Sequence, residues 1–146
     1  MLLQRPRIKM GSQARPGISA TQKRTDEVFV ILCASGFDNI ARARSALMFA
    51  SLAAAAEYKA VLYCIQTGVD IMVKGAIEKN EKLQSGTPTL ADRLREALAL
   101  GVKIQCCSQT LANKGLTKED LIEEVQIAGA MNLIELTARA SGSLSF

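Results

Sequence analysis

Four cysteines, at positions 33, 64, 106 and 107, are the residues of this chain best suited to chemistry. A thiolate is the form of cysteine that attacks sulfur or accepts it. The chain contains no histidine, which excludes Ser-His-Asp and Cys-His catalysis within one chain and histidine-containing metal sites. None of the cysteines falls at the C-x-x-C spacing of a zinc site or a thioredoxin-type motif. No metal and no cofactor are expected.

The elements around the cysteines decide which of them can react. Val28–Cys33 is a continuous apolar run of β-formers, the pattern of a strand buried on both faces. After the turn Ala34–Asn39, the alanine-rich stretch from Ile40 to Tyr58 reads as a long helix capped by Asp38 or Asn39. A second strand spans Ala60 to Cys64. The region Val69–Ser85 reads as a short extended piece at Val69–Val73 and then a polar loop. Thr87-Pro88 places a capping residue before a proline and opens the next helix, which Gly101 closes. Val102–Cys107 forms the third strand, Ser108–Lys114 a short helix ending at Gly115, and Thr117–Asp120 a capping box. Val125–Ala128 is a fourth short strand, a helix follows across Asn132–Arg139, and Ser143–Phe146 either closes the sheet or trails off.

Strands alternating with helices require crossover connections and a mostly parallel sheet. The fold class is therefore α/β, a three-layer sandwich with a mostly parallel sheet of about five strands, flavodoxin-like if the strand order is 2-1-3. Cys33, Cys64 and Cys107 each end a strand, and ligands of open parallel sheets bind outside those carboxyl ends. With strand order 2-1-3 the three sulfurs would lie within roughly 10 Å of each other, since neighbouring strands are about 4.8 Å apart. Cys106 alternates to the opposite face and reads as core. Cys33 and Cys64 are small buried hydrophobes first and auxiliary thiols second. Cys107 precedes the first turn of a helix, whose free N–H groups favour a thiolate.

The segment Cys107-Ser-Gln-Thr-Leu-Ala-Asn-Lys-Gly115-Leu116, preceded by Gly101-Val-Lys-Ile104 and a helix, resembles the DsrE/DsrF-like family of sulfur-relay proteins. The opening strand, the alanine-rich helix and Gln66-Thr67-Gly68-Val69 are similar to that family as well, so the likeness covers residues 27–146. It implies assembly into trimers or hexamers and a cysteine, here Cys107, that carries sulfur as a persulfide or thiosulfonate. Such a protein passes sulfur from donor to acceptor proteins and is a carrier rather than a turnover enzyme. N–H groups of Ser108, Gln109 and Thr110 would stabilise the anion, and Ser35, Asp38 and Asn39 in the loop after the first strand would line the approach. Asp38 reads as a helix cap rather than a catalytic group, because a carboxylate opposes a thiolate. Two other readings stay open: a non-catalytic module binding a small anion through Gly36 and Gly68, and a thiol peroxidase or redox sensor using Cys33 or Cys106 as resolving partner.

Charge and hydropathy bound the partners. Residues 1–26 carry six cations against Asp26, so the net +4 of the chain becomes −1 beyond that point. These residues read as a flexible basic tail, and residues 27–146 as one domain. With few aromatics and no basic stripe on a helix, nucleic acid is not an expected partner. The longest apolar run, Ala46–Ala56, is mostly alanine and too short for a membrane span, which needs roughly 20 apolar residues. No secretory signal is evident, and a cytoplasmic setting is the expectation, one in which structural disulfides are disfavoured.

Overall fold

The computed structural model describes residues 24–146. Most of the expected tail lies outside the described residues. Its last part is ordered: Arg24–Asp26 forms a 3-10 turn, with the Arg24 guanidinium 5.2 Å from the centre of the Tyr58 ring.

Five strands form one sheet: β1 (Val28–Cys33), β2 (Lys59–Cys64), β3 (Lys103–Cys107), β4 (Gln126–Ala128) and β5 (Gly142–Ser145). All pairs are parallel, and the order across the sheet is β4-β3-β2-β1-β5. The centre is thus β2, and the order 2-1-3 expected from the sequence is replaced by 3-2-1. The helices explain why. α1 (Ile40–Ala55) connects β1 to β2 and α3 (Leu90–Ala99) lies on the path from β2 to β3. The two helices pack against each other, so both crossovers run on one face and the chain advances in one direction. It reverses only after β4, when α5 (Ala130–Arg139) returns over β1 on the opposite face and sets β5 at the far edge. The crevice at that switch point is occupied by the chain itself. Phe146 hydrogen-bonds Leu32 and Ala34 and stacks on Phe49 with ring centres 5.2 Å apart.

Strand periodicity divides the core. Ile31, Cys33, Leu62, Cys64, Ile104 and Cys106 face α1 and α3 in one large cluster. The small residues Ala43, Ala46, Ala50 and Ala53 line the buried side of α1, which lets it sit close on the sheet. Val30, Val61 and Leu136 form a much smaller cluster under α5. One face is therefore fully roofed by two helices and the other has a single helix.

Local expectations hold with four adjustments. α1 ends at Ala55 and is capped by Asn39, whose side chain accepts from the Arg42 N–H at 3.2 Å. Gln66–Met72 is a 3-10 turn and not an extended piece; only Val73 makes an isolated antiparallel bridge, to Leu121. The loop before α3 contains the short helix α2 (Ala76–Asn80). α3 is capped by Thr89 in a capping box with Asp92, two residues after the expected Thr87. The reciprocal bonds of a capping box satisfy two free donors, more than Thr87-Pro88 could offer. The short helix α4 (Ser108–Lys114) ends at Gly115, where φ is +67°, and Thr117 and Asp120 form the expected capping box. β5 closes the sheet against β1.

Candidate functional site

Cys33, Cys64 and Cys106 stand directly opposite one another on β1, β2 and β3. They form a row of thiols on the α1/α3 face, each with no exposed surface. The Cys33 thiol donates to the Ser35 carbonyl at 3.2 Å. Cys64, in the middle, has its pKa pushed well above the ordinary value by the neighbouring Cys106 and Cys33 thiols and by burial. The strand ends do meet as the sequence suggested, but the β3 thiol that joins Cys33 and Cys64 is Cys106, because Cys107 is one residue further and points to the other face. A resolving role for Cys33 or Cys106 toward Cys107 meets the same obstacle: both are turned away from it.

Cys107 is 7% exposed and occupies the junction of β3 and α4. Burial raises its pKa, but hydrogen bonding from the Thr110 N–H and hydroxyl, the Tyr63 hydroxyl and the Gln109 N–H outweighs that effect, and the net shift is downward from 9.0. Donors directed at sulfur favour its charged form. The Thr110 hydroxyl oxygen accepts from the Gln66 N–H at 3.4 Å, which leaves its own proton for the thiolate. Gln66 has φ +51°, a region unfavourable for a side-chain-bearing residue, and that backbone turn aims its N–H at Thr110.

Tyr63 was not among the residues the sequence singled out. It lies on β2 beside Cys64, on the opposite face, and its hydroxyl donates to the Ala128 carbonyl on β4 at 2.9 Å. The side chain therefore reaches across β3 and meets Cys107 on the way. Burial, with the negative charge that Cys107 can carry, pushes the Tyr63 pKa up, so the phenol stays protonated; its single proton lies between the Ala128 carbonyl and the Cys107 sulfur and serves one of them at a time. Strand parity could place Tyr63 on the Cys107 face, but only the order β4-β3-β2 brings it to the thiol.

The six expected binding residues separate into two groups. Ser108 and Gln109 open α4 beside Cys107 and are exposed. Ser35, Gly36, Asn39 and Gly68 sit in the loops after β1 and β2, where the Asn39 N–H donates to the Gly36 carbonyl and the Ser35 carbonyl accepts from the Cys33 thiol. A Cβ at Gly36 would come 2.0 Å from the Thr67 carbonyl oxygen, and one at Gly68 would come 2.3 Å from that of Cys33. These two glycines allow the loops to touch, and the side that a Cβ would occupy is filled by protein. Asp38 braces the same junction, accepting from the Gly36 N–H at 2.9 Å and the Thr67 hydroxyl at 2.8 Å. Those donors hold its pKa below the usual carboxylate value. Among the described residues no group of three or more cysteine and carboxylate side chains is arranged to hold a metal ion.

A parallel α/β sheet ending in a donor-surrounded cysteine defines a class of thiol-bearing α/β proteins. The DsrE/DsrF-like family model matches residues 27–146, and the chain belongs to that family. It is 26% identical over 132 residues to the uncharacterized protein MJ0760 of Methanocaldococcus jannaschii, covering 90% of this chain and 46% of that protein. The chain thus spans about half the length of that relative. The uncharacterized protein MJ0989 of the same organism is 29% identical over 105 residues, or 72% of this chain and 87% of that one. Among solved structures, the ychN protein from E. coli superposes with a TM-score of 0.63 at 18% identity, covering 82% of this chain and 99% of that one. MTH1491 from Methanobacterium thermoautotrophicum, a protein of unknown function, gives 0.58 at 17% identity, covering 82% and 98%. These likenesses establish the fold. No helix among the described residues is long and apolar enough to cross a membrane.

Proposed function

We propose that the chain is a cysteine-based sulfur carrier in which Cys107 accepts sulfane sulfur and hands it on. The observation that carries this reading is the gathering of donors from two elements around one sulfur: Gln109 and Thr110 from the start of α4, and Tyr63 from β2. A core cysteine needs no such donors, whereas a thiolate nucleophile and a persulfide anion both do. Attack of the Cys107 thiolate on the outer sulfur of a persulfide forms one S–S bond as another breaks. The donor's thiolate leaves with the electron pair, so the exchange needs no external oxidant. With tetrathionate as donor, attack on an inner sulfur breaks the central S–S bond, thiosulfate leaves with the electron pair, and Cys107 carries a thiosulfonate, again without an external oxidant. Membership of a family associated with sulfur relay supports the same reading.

The carrier acts in the cytoplasm, between donor and acceptor proteins, as a trimer or hexamer. Met131 and Ile134 on α5, with Leu52 on α1, are more than half exposed, and apolar surface of this kind favours self-association. Light scattering on the purified chain tests the assembly. The carrier role is tested by incubating the protein with polysulfide and weighing it by mass spectrometry. Wild type gains sulfur at Cys107, and Cys107→Ser gains none. Labelling of Cys107→Ser equal to wild type would exclude Cys107 as the carrier.

A further inference from the structure

Where α5 leaves the sheet half covered, a groove of about 540 Å³ opens between that helix and the strands β2 and β3. It is separate from the thiol. The Asn132 amide donates to the Gln105 side-chain oxygen at 2.8 Å and closes one end, and Tyr63 crosses β3 beyond that pair on its way to Ala128. Two rows of side chains face each other across the groove. Asn132, Leu136 and Arg139 fall at i, i+4 and i+7 on one face of α5, and Lys103 and Gln105 alternate onto one face of β3. The helix runs back toward the strand starts, so amide meets amide at one end and cation meets cation at the other. Between the ends, buried Val61 and Leu136 make an apolar floor. Among the described residues neither Lys103 nor Arg139 pairs with a carboxylate, whereas Lys59 beside them has Asp26 at 3.5 Å.

The volume is that of a small-molecule site, which spans roughly 300–1,000 Å³, and the polar groups select the molecule. A carboxamide has two donors and one acceptor oxygen. The Asn132–Gln105 bond therefore leaves the Gln105 amino group and the Asn132 oxygen without a partner among the described residues, a donor beside an acceptor. The amino group and ring nitrogen of adenine present the complementary pair, which is why Asn and Gln side chains read that base. Two cations without a carboxylate match a phosphate monoester, whose charge at neutral pH is about −1.5 to −2. Lys103 and Gln105 are roughly 6.6 Å apart along the strand, at about 3.3 Å per residue, and a sugar resting on the Val61–Leu136 floor bridges that interval. We propose that this groove binds an adenine nucleoside monophosphate, with the base edge on Gln105 and Asn132 and the phosphate on Lys103 and Arg139. The closed amide end accepts the base of a single nucleotide and blocks a continuing strand, so a polynucleotide does not fit. The site stands apart from sulfur transfer at Cys107, and binding there involves no covalent step.

AMP titrated into the full chain and followed by calorimetry should bind saturably. Adenosine, which lacks the phosphate, and ribose 5-phosphate, which lacks the base, should each bind about tenfold more weakly or worse. The charge reversal Lys103→Glu with Arg139→Glu should weaken AMP about tenfold or more, and added salt should weaken it in wild type. The milder Lys103→Gln with Arg139→Gln, checked for unchanged circular dichroism, should lose less in the same direction, which separates lost charge from lost fold. Gln105→Met removes the amide at similar length. It should weaken AMP by about tenfold and leave ribose 5-phosphate unchanged. Absence of saturable AMP binding in wild type overturns the site. So does binding of inorganic phosphate or ribose 5-phosphate as tight as that of AMP, which would mean a bare cation patch. AMP affinity that survives both double substitutions would place the nucleotide elsewhere and overturn it equally.

Discussion

The two sides of the sheet treat the same side chain in opposite ways. On the α1/α3 face, Cys33, Cys64 and Cys106 are paired only with each other and with a carbonyl, under two helices and with no exposed surface. On the α5 face, one residue beyond Cys106, Cys107 meets two hydroxyls and two N–H groups at the edge of a half-covered surface. One position along a strand exchanges a neutral core for an anion-stabilising pocket. Helix coverage makes the difference: two crossovers on one face leave a single helix for the other.

The largest expected consequence is kinetic. In the native protein Cys107 should alkylate with iodoacetamide at least about 100-fold faster than any thiol of the row. Reaching the row requires local opening, and each ~1.4 kcal/mol of opening is a factor of ten in rate. Peptide mass spectrometry at early times reads the ratio directly. Comparable labelling of Cys64 and Cys107 would mean that the two-helix roof opens readily, and the contrast between the faces would collapse.

Next in size is the loop junction that holds the strand ends of β1 and β2 together. Gly68→Ala drives a methyl group toward the Cys33 carbonyl and should destabilise the fold by about 2–3 kcal/mol, the range of overpacked sites. Ser108→Ala, at an exposed position beside Cys107, should change stability by no more than about 0.5 kcal/mol. Urea denaturation of both variants compares the backbone-packed β1–β2 junction with the exposed start of α4. Equal losses would mean that the α4 start is as structurally demanding as the β1–β2 junction.

What the sequence made legible follows this division. The span of β1, the short helix after Cys107, its Gly115 stop and the Thr117–Asp120 capping box are local features, carried by hydrophobic runs and cap chemistry within a few residues. The opposition of Cys106 and Cys107 follows from strand alternation alone. Strand order does not, since it depends on which face each crossover takes, and the packing of α1 on α3 is a contact between residues far apart in the chain. With the order went the role of Tyr63, while the third thiol in the row was set by the β2–β3 register, which pairs Cys64 with Cys106 and not Cys107. That tyrosine matters only because β3 lies between it and Ala128.

A smaller effect isolates one donor. Tyr63→Phe keeps the ring across β3 and removes only the hydroxyl. The Cys107 pKa should rise, because a group that favours the thiolate is lost. Its alkylation rate at neutral pH should fall by about tenfold or less, the worth of one charged hydrogen bond partly replaced by water. Above pH 9 the two proteins should converge, since the thiolate is then formed in both. A pH profile of the rate distinguishes this from a structural defect, which would lower the rate at every pH.

The smallest effect is in stability against pH, and it has opposite signs at Cys107 and Cys64. Cys107 has a depressed pKa in the folded chain, so it stabilises the fold above its unfolded value near 9.0, and that contribution is lost as pH falls through the folded pKa. Cys64 has a raised pKa, so its contribution is complete below the unfolded value and drains away above it, where the unfolded chain has released a proton that the folded chain retains. In urea titrations from pH 7 to 10, the stability gap between wild type and Cys107→Ser should therefore widen up to the ordinary cysteine pKa and then level. The gap between wild type and Cys64→Ala should stay constant over that range and narrow beyond it, with a limiting slope of about 1.4 kcal/mol per pH unit. Parallel curves for the two variants would show that both thiols meet the same electrostatic environment, and the distinction between the carrier face and the core face would fail at its origin.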